Sequence, residues 1–432
     1  MRTGPDDDAE RVVIRSAAGP ITARLRHGLI RATGIPYAGA ARWQRPVAVA
    51  TGSYRATRPA PACPQLPIPR LDALLPAAFA DLGFDEACLN LSVTAPAAAA
   101  GLPVMVWLHG GSYESGAGDM AVFDPAALVA EQQVVVVAVT YRLGLFGWLG
   151  GPERAANLGA QDVVAALHWV RDHIAVFGGD PGCVTLFGQS SGGDLAARLM
   201  VSDATRGLLH RVIVQSAPLA LSRRTGRMRA VMRRGAEGLT AAAPIREVLE
   251  CQATLRRAVR RFGLAGQMPF GPEFGADPFP SEADLAAAHA AIAAEIPLLI
   301  GHTRDEAALF LPPVGAGPGR LAEPLRRMGV RALGHRLYRR PADGFAAHHR
   351  HAGGQATRFR IDWSGGEWGA AHLAELPLLF PGPDWLGTPL VPQGMTLKAL
   401  TRAGAPLRRA WADFARTGRA PDDLPGMLRI DS

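Results

Sequence analysis

A serine hydroxyl attacks a carbonyl carbon only when it is held exposed, beside a base and close to fixed positive dipoles. Gly188-Gln189-Ser190-Ser191-Gly192 has the Gly-x-Ser-x-Gly form that meets the first need, and Gly193 extends it. The apolar run Val184–Phe187 precedes these residues, and a helical pattern follows to about Val201. That context predicts a strand-to-helix elbow, whose strained backbone tolerates only small neighbours. Ser190 is the candidate nucleophile. His109-Gly110-Gly111-Ser112-Tyr113, about 80 residues upstream, also follows an apolar run, Val104–Leu108. Acyl transfer places a negative charge on the former carbonyl oxygen, and main-chain N–H groups aimed at that oxygen stabilise it without reorganising. Glycines let the backbone come close enough to do so.

The hydroxyl needs a base, and the base an orienting acid. Twelve histidines compete. His109 belongs to the Gly-rich loop, and His168 and His173 fall within a helical pattern as surface or packing residues. His372 follows a glycine-containing loop near the C-terminal end, after the acid in chain order. For the acid, Asp305 and Glu306 follow a short strand, and either would serve on chemistry alone.

These residues must be carried by a framework of alternating strands and helices, the pattern of an α/β fold with a mostly parallel sheet covered by helices. Val134–Thr140 is β-branched and almost wholly apolar, as a strand buried on both faces should be. Val163, Leu167, Val170 and Ile174 share one helical face, and Gly178-Gly179-Asp180-Pro181 ends it. Val212–Gln215 and Pro297–Ile300 read as further strands, Glu282–Glu295 as an alanine-rich helix, and Leu407–Thr417 as a last amphipathic helix. Pro324–Tyr338 reads as helical with interruptions, Gly315–Arg320 as a loop, and His348-His349-Arg350-His351 as a solvated loop. The whole chain, 1–432, is expected to be a single unit, with 222–296 and 312–360 as inserted or site-roofing segments.

Bulk properties exclude other classes. The net charge is +8, but arginine is scattered and Lys398 is the only lysine, so no nucleic-acid-binding stripe emerges. The N-terminus is polar and acidic with no apolar stretch of a secretory signal, and no apolar run is long enough to span a bilayer. A soluble, cytoplasmic protein is the expectation. Four cysteines in 432 residues are too few for a disulfide scaffold, and no C-x-x-C pair suggests zinc.

Many short motifs, in order, resemble those of the type-B carboxylesterases, the family that includes cholinesterases and para-nitrobenzyl esterases. They are Gly34-Ile-Pro-Tyr-Ala, Cys63-Pro-Gln, Glu86-Ala-Cys-Leu-Asn-Leu, Trp107-Leu-His-Gly-Gly-Ser and Tyr141-Arg-Leu-Gly-Leu-Phe-Gly. Further on come Asn157-Leu-Gly-Ala-Gln-Asp, Phe177-Gly-Gly-Asp-Pro, Phe187-Gly-Gln-Ser-Ser-Gly-Gly and Arg304-Asp-Glu, so the likeness runs from about Gly34 to Thr417. The resemblance implies an α/β-hydrolase fold and ester hydrolysis through an acyl-enzyme. It assigns Ser190 as nucleophile, His372 as base and Glu306 as acid, with the N–H groups of Gly111, Ser112 and Ser191 as the oxyanion hole. No metal or organic cofactor is implied, and the expected partner is a small-molecule substrate, a small to medium, uncharged ester.

Arg42 with Glu86, and Arg142 with Asp162, fall where the family keeps ion pairs, while Cys63 and Cys88 match a family disulfide that a reducing compartment would leave open. Ser112 stands where a third glycine is frequent, Ala87 replaces an aspartate, and residues 38–42 and about 222–269 are shortened. Pro64–Ala87 holds no tryptophan, so the aromatic cation site of a cholinesterase is not expected. Family members that lost the triad serve as binding modules. The presence of all three residues argues against that alternative, whereas acyl transfer to an alcohol would share the same acyl-enzyme.

Overall fold

A computed structural model describes residues 10–16, 19–49, 52–75, 78–80, 82–311 and 322–431. The predicted loop Gly315–Arg320 and the start of the 312–360 segment lie outside the described residues. The chain is organised on one sheet of twelve strands. In chain order these are β1 (Glu10–Ser16), β2 (Gly19–Arg26), β3 (Leu29–Pro36), β4 (Tyr54–Arg55), β5 (Asn90–Pro96) and β6 (Leu102–Leu108). They continue as β7 (Val135–Val139), β8 (Gly179–Gln189), β9 (Arg211–Gln215), β10 (Leu298–Thr303), β11 (Ala356–Ile361) and β12 (Leu428–Asp431). Their spatial order is β1-β2-β3-β5-β7-β6-β8-β9-β10-β11-β12, with β4 against β2. From β7 to β11 neighbouring strands are parallel, with β6 and β8 adjacent in the middle. The flanks, β1 to β7 and β11 to β12, pair antiparallel.

The central strands are apolar on both faces because both are covered, and their side chains divide by period two. Val104, Val106, Leu108, Leu186, Val212, Val214 and Ile300 join the core on one face. Met105, Trp107, Phe187, Ile213, Leu299 and Phe359 join the core on the other. Right-handed crossovers between parallel strands require helices, here α1 (Leu158–His173) before β8, α2 (Ser191–Met200) after it and α3 (Ile245–Val259) before β10. After β10, α4 (Ala322–Gly334), a π turn at His335–Arg339 and α5 (Arg340–His351) form one nearly continuous helical run. α6 (Leu397–Thr417) then packs on the sheet, starting ten residues before its expected N-terminus and passing through Pro406. Among the described residues no helix is long and apolar enough to cross a membrane.

One expectation is corrected. His348–His351 is the last turn of α5 and not a solvated loop. His349 is fully buried and donates from Nε2 to the Ile296 carbonyl at 3.0 Å, which leaves Nδ1 to accept from His289 Nε2 at 2.8 Å. Burial pushes the His289 imidazole down to about 3, so the pair is neutral and serves as packing.

Both expected ion pairs form. Arg42 Nε donates to Glu86 Oε2 at 2.8 Å. Arg142 grips Asp162 bidentately, at 2.9 Å and 2.6 Å, and its third branch donates to the Gln44 carbonyl at 2.8 Å. Because Arg142 and Asp162 are buried, Arg142→Met strands a carboxylate without its counter-charge. Urea unfolding of that variant should show a stability loss of about 3–5 kcal/mol, and Arg142→Met/Asp162→Leu should recover part of it. An unchanged midpoint in the single variant would refute a stabilising role. Cys63 and Cys88 are buried free thiols.

Candidate active site

All the chemistry-bearing residues sit at the C-terminal rim of the parallel block, where open α/β sheets place their sites. β8 ends at Gln189, Ser190 makes the turn at φ 57°, ψ −125°, and α2 starts at Ser191. This is the strained left-handed elbow, and the Ser190 N–H holds it by donating to the Gln215 carbonyl at 2.9 Å. A Cβ on Gly192 would lie 2.2 Å from the Leu108 carbonyl oxygen, so only glycine lets the elbow pass so close to β6.

The Gly-rich loop leaves the end of β6 beside this elbow. Gly111 has φ +112°, and a Cβ there would stand 1.9 Å from the Ser115 carbonyl oxygen. Ser112 and Tyr113 follow at φ 59° and 62°. Two consecutive left-handed side-chain-bearing residues cost about 1–3 kcal/mol each and persist only where the surroundings over-determine them. His109 anchors the loop from beneath: its Nδ1–H donates to the Gly110 carbonyl at 2.7 Å, and its ring stacks on Tyr141 at 4.5 Å. Burial pushes the His109 imidazole down to about 4, so it stays neutral and is no base.

Glu306 and His372 arrive from the loops after β10 and β11. His372 Nδ1–H donates to Glu306 Oε2 at 2.5 Å, and both side chains are buried. The Thr303 N–H donates to the other carboxylate oxygen at 2.8 Å, and the His372 N–H to the Glu306 carbonyl at 3.2 Å. Burial raises the Glu306 carboxyl, but the charge and hydrogen bond of His372, with the Ser216 hydroxyl and the Thr303 N–H, hold it below the usual carboxylate range. Asp305, by contrast, is half-buried and paired with Arg304 at 3.0 Å. Of the two candidate acids, Glu306 is therefore the one that meets His372, and Asp305 meets Arg304.

Ser190 and His372 line one cavity of about 140 Å³, together with Gly110, Gly111, Ser112 and Gln189. Ser191 lies fully buried behind it, as the first residue of α2. With Nδ1 protonated toward Glu306, His372 Nε2 is an acceptor, and the Gln189 side-chain amide donates to it at 3.3 Å. Most of the remaining cavity wall is apolar, with Leu71, Leu75, Phe79, Met120, Phe123 and Leu376, and Arg70, Asp72 and Ser115 also line it.

Against this geometry, the family model described as the carboxylesterase family matches residues 29–343. The chain belongs to the carboxylesterase family. This carboxylesterase is 35% identical to a probable N-octanoylanthranilate hydrolase of Rhodococcus erythropolis, over 87% of this chain and 85% of that protein. It is 30% identical to the para-nitrobenzyl esterase of Bacillus subtilis, over 94% and 90% of the two chains. A solved thermophilic para-nitrobenzyl esterase superposes with a TM-score of 0.81 at 27% identity, over 97% of each chain. The carboxylesterase therefore has the α/β-hydrolase fold and is a carboxylic-ester hydrolase.

Three features of the carboxylesterase's site escaped the sequence reading. Gln189 was a variable position of the elbow motif until the fold set its amide on His372. Glu375 is fully buried near Glu306, and burial, assisted by the charge of Glu306, pushes its carboxyl up to about 7. Tyr113, on the Gly-rich loop, reaches Asp194 in the first turn of α2. Only the one-turn spacing of His372 and Glu375 was a signal available in one dimension.

Proposed function

We propose that this carboxylesterase cleaves small to medium, uncharged carboxylic esters, aryl esters among them, through an acyl-enzyme on Ser190. The carrying observation is that Ser190 and His372 share a cavity wall while Glu306 holds His372 Nδ1–H at 2.5 Å. His372 takes the Ser190 proton at Nε2 as the oxygen bonds to the ester carbon, and Glu306 stabilises the imidazolium so formed. To accept that proton, Nε2 must exchange its contact with the Gln189 amide for the Ser190 hydroxyl, a tightening common when substrate binds. The N–H groups of Gly111, Ser112 and Ser191 face the developing oxyanion. His372 then returns the proton to the departing alcohol, and activates water that releases the acid. No step calls for a metal or organic cofactor.

Substrate size rests on the cavity. About 140 Å³ lined by Leu, Met and Phe is close to the ~150 Å³ apolar void that takes up a benzene ring. The relative named as a para-nitrobenzyl esterase supports the same class. A fluorophosphonate probe should label the purified protein once per chain, and mass spectrometry should locate the adduct on Ser190; no adduct, or one elsewhere, refutes the proposal. Filling the apolar wall with Leu75→Trp should lower kcat/KM for para-nitrophenyl octanoate about tenfold more than for the acetate. Equal losses across the chain-length series would place the acyl group elsewhere.

A further inference from the structure

The loop that carries Gly111 and Ser112 and the helix that carries Ser191 are separate segments, so their N–H groups converge only if something fixes one segment against the other. Two buried contacts do so, and both come from Tyr113. Its N–H donates to Ser191 Oγ at 3.3 Å, and its phenol donates to Asp194 Oδ2, in the first turn of α2, at 2.7 Å. Asp194 is itself fully buried and held on its other oxygen by Arg198 Nε at 3.2 Å and Ser222 Oγ at 3.1 Å. Arg198 in turn donates to the Leu219 carbonyl at 2.8 Å and to Ser222 Oγ at 3.0 Å. The Tyr113 ring packs on Trp148 at 4.4 Å, and its carbonyl accepts from the Gly144 N–H at 2.7 Å. A phenylalanine would fill this site as well. A buried hydroxyl costs free energy unless it is bonded, so the phenol's presence demands a purpose beyond packing.

We propose that the Tyr113–Asp194 hydrogen bond is a clamp that sets the spacing of the oxyanion-hole donors across the loop and α2. The proposal rests on Ser190 being the nucleophile. Tyr113 touches no substrate; it is a positioning residue. It also explains how Ser112 and Tyr113 are kept left-handed: releasing the phenol lets the strained pair relax and turns the Gly111 and Ser112 N–H groups away.

Tyr113→Phe in the full chain tests it. For para-nitrophenyl butyrate, kcat should fall at least about tenfold with KM within about twofold, since misplacement of the donors is felt in the transition state. The inhibition constant of an aliphatic trifluoromethyl ketone, which forms a tetrahedral oxyanion on Ser190, should rise by a similar factor. That of the matching methyl ketone should not change. Rates are referred to fluorophosphonate-labelled Ser190, so that misfolded protein does not count. Unchanged kcat per titratable Ser190 site and unchanged ketone affinity of the unlabelled enzyme, with or without a lower Tm, overturn the clamp alone. Failure of the wild type to label on Ser190 overturns the nucleophile assignment as well. Should Tyr113→Phe not fold, Asp194→Asn keeps an oxygen for the phenol but weakens the bond, and should show the same kcat-specific loss at about two- to fourfold. A change confined to Tm in that variant rejects the proposal.

Discussion

Replacing Ser190 with alanine should lower kcat on para-nitrophenyl acetate by about six orders of magnitude while leaving the circular dichroism spectrum and the urea midpoint almost unchanged. The size follows from what the hydroxyl is asked to do: without it there is no acyl-enzyme, and the remaining groups only bind and polarise the ester. In serine hydrolases the loss of the nucleophile alone costs about as much as the loss of the whole triad, because its members act as a unit. The fold should not suffer. The elbow is held by the Ser190 N–H on the Gln215 carbonyl and by the crowding at Gly192, neither of which uses the side chain. Appreciable turnover by rigorously purified Ser190→Ala protein would end the esterase mechanism proposed on this residue.

Glu306→Gln should cost about 10⁴-fold in kcat with little change in KM. The reason is proton bookkeeping at one imidazole. The Thr303 N–H at 2.8 Å requires an oxygen on the side chain at 306. A glutamine satisfies it with its only oxygen and turns its NH₂ toward His372 Nδ1. That nitrogen must then accept, the ring proton moves to Nε2, and His372 can no longer take the proton of Ser190. Glu306→Asp, which keeps an acceptor but shortens the arm, should lose less. The depressed Glu306 pKa also has a sign in stability: the ionised form stabilises the fold above the unfolded carboxyl value near pH 4.3, and this contribution is lost as pH falls through the lower folded value. Acid unfolding of the glutamine variant should therefore be less steep. A kcat within about tenfold of wild type would show that His372 is oriented by something other than Glu306.

The elbow and the strands around it were readable from the chain because their signals are local. A glycine-flanked serine between an apolar run and a helical run defines an elbow within a dozen residues, and β6, β7, β8 and β9 each contain an apolar run that can be seen singly. The antiparallel strands β1 to β3 were not, since Arg15, Arg24, Arg26 and Arg31 interrupt the apolar positions of strands exposed along one side. The choice between Asp305 and Glu306 lay one residue apart and needed the turn after β10, which sends one carboxyl to Arg304 and the other to His372. The helix of His348 to His351 was masked by its charged and imidazole-rich last turn, although His349 is one of the most deeply buried side chains of α5. Tyr113 and Asp194, 81 residues apart, carry no mark that they meet.

The order of the strands in the sheet has a consequence for biosynthesis. The proposed oxyanion loop and nucleophile follow β6 and β8, whereas the proposed acid and base follow β10 and β11, and Trp411 of α6 closes on Gln215 from 196 residues further along. A growing chain can thus complete its elbow before the imidazole proposed to activate it has been made.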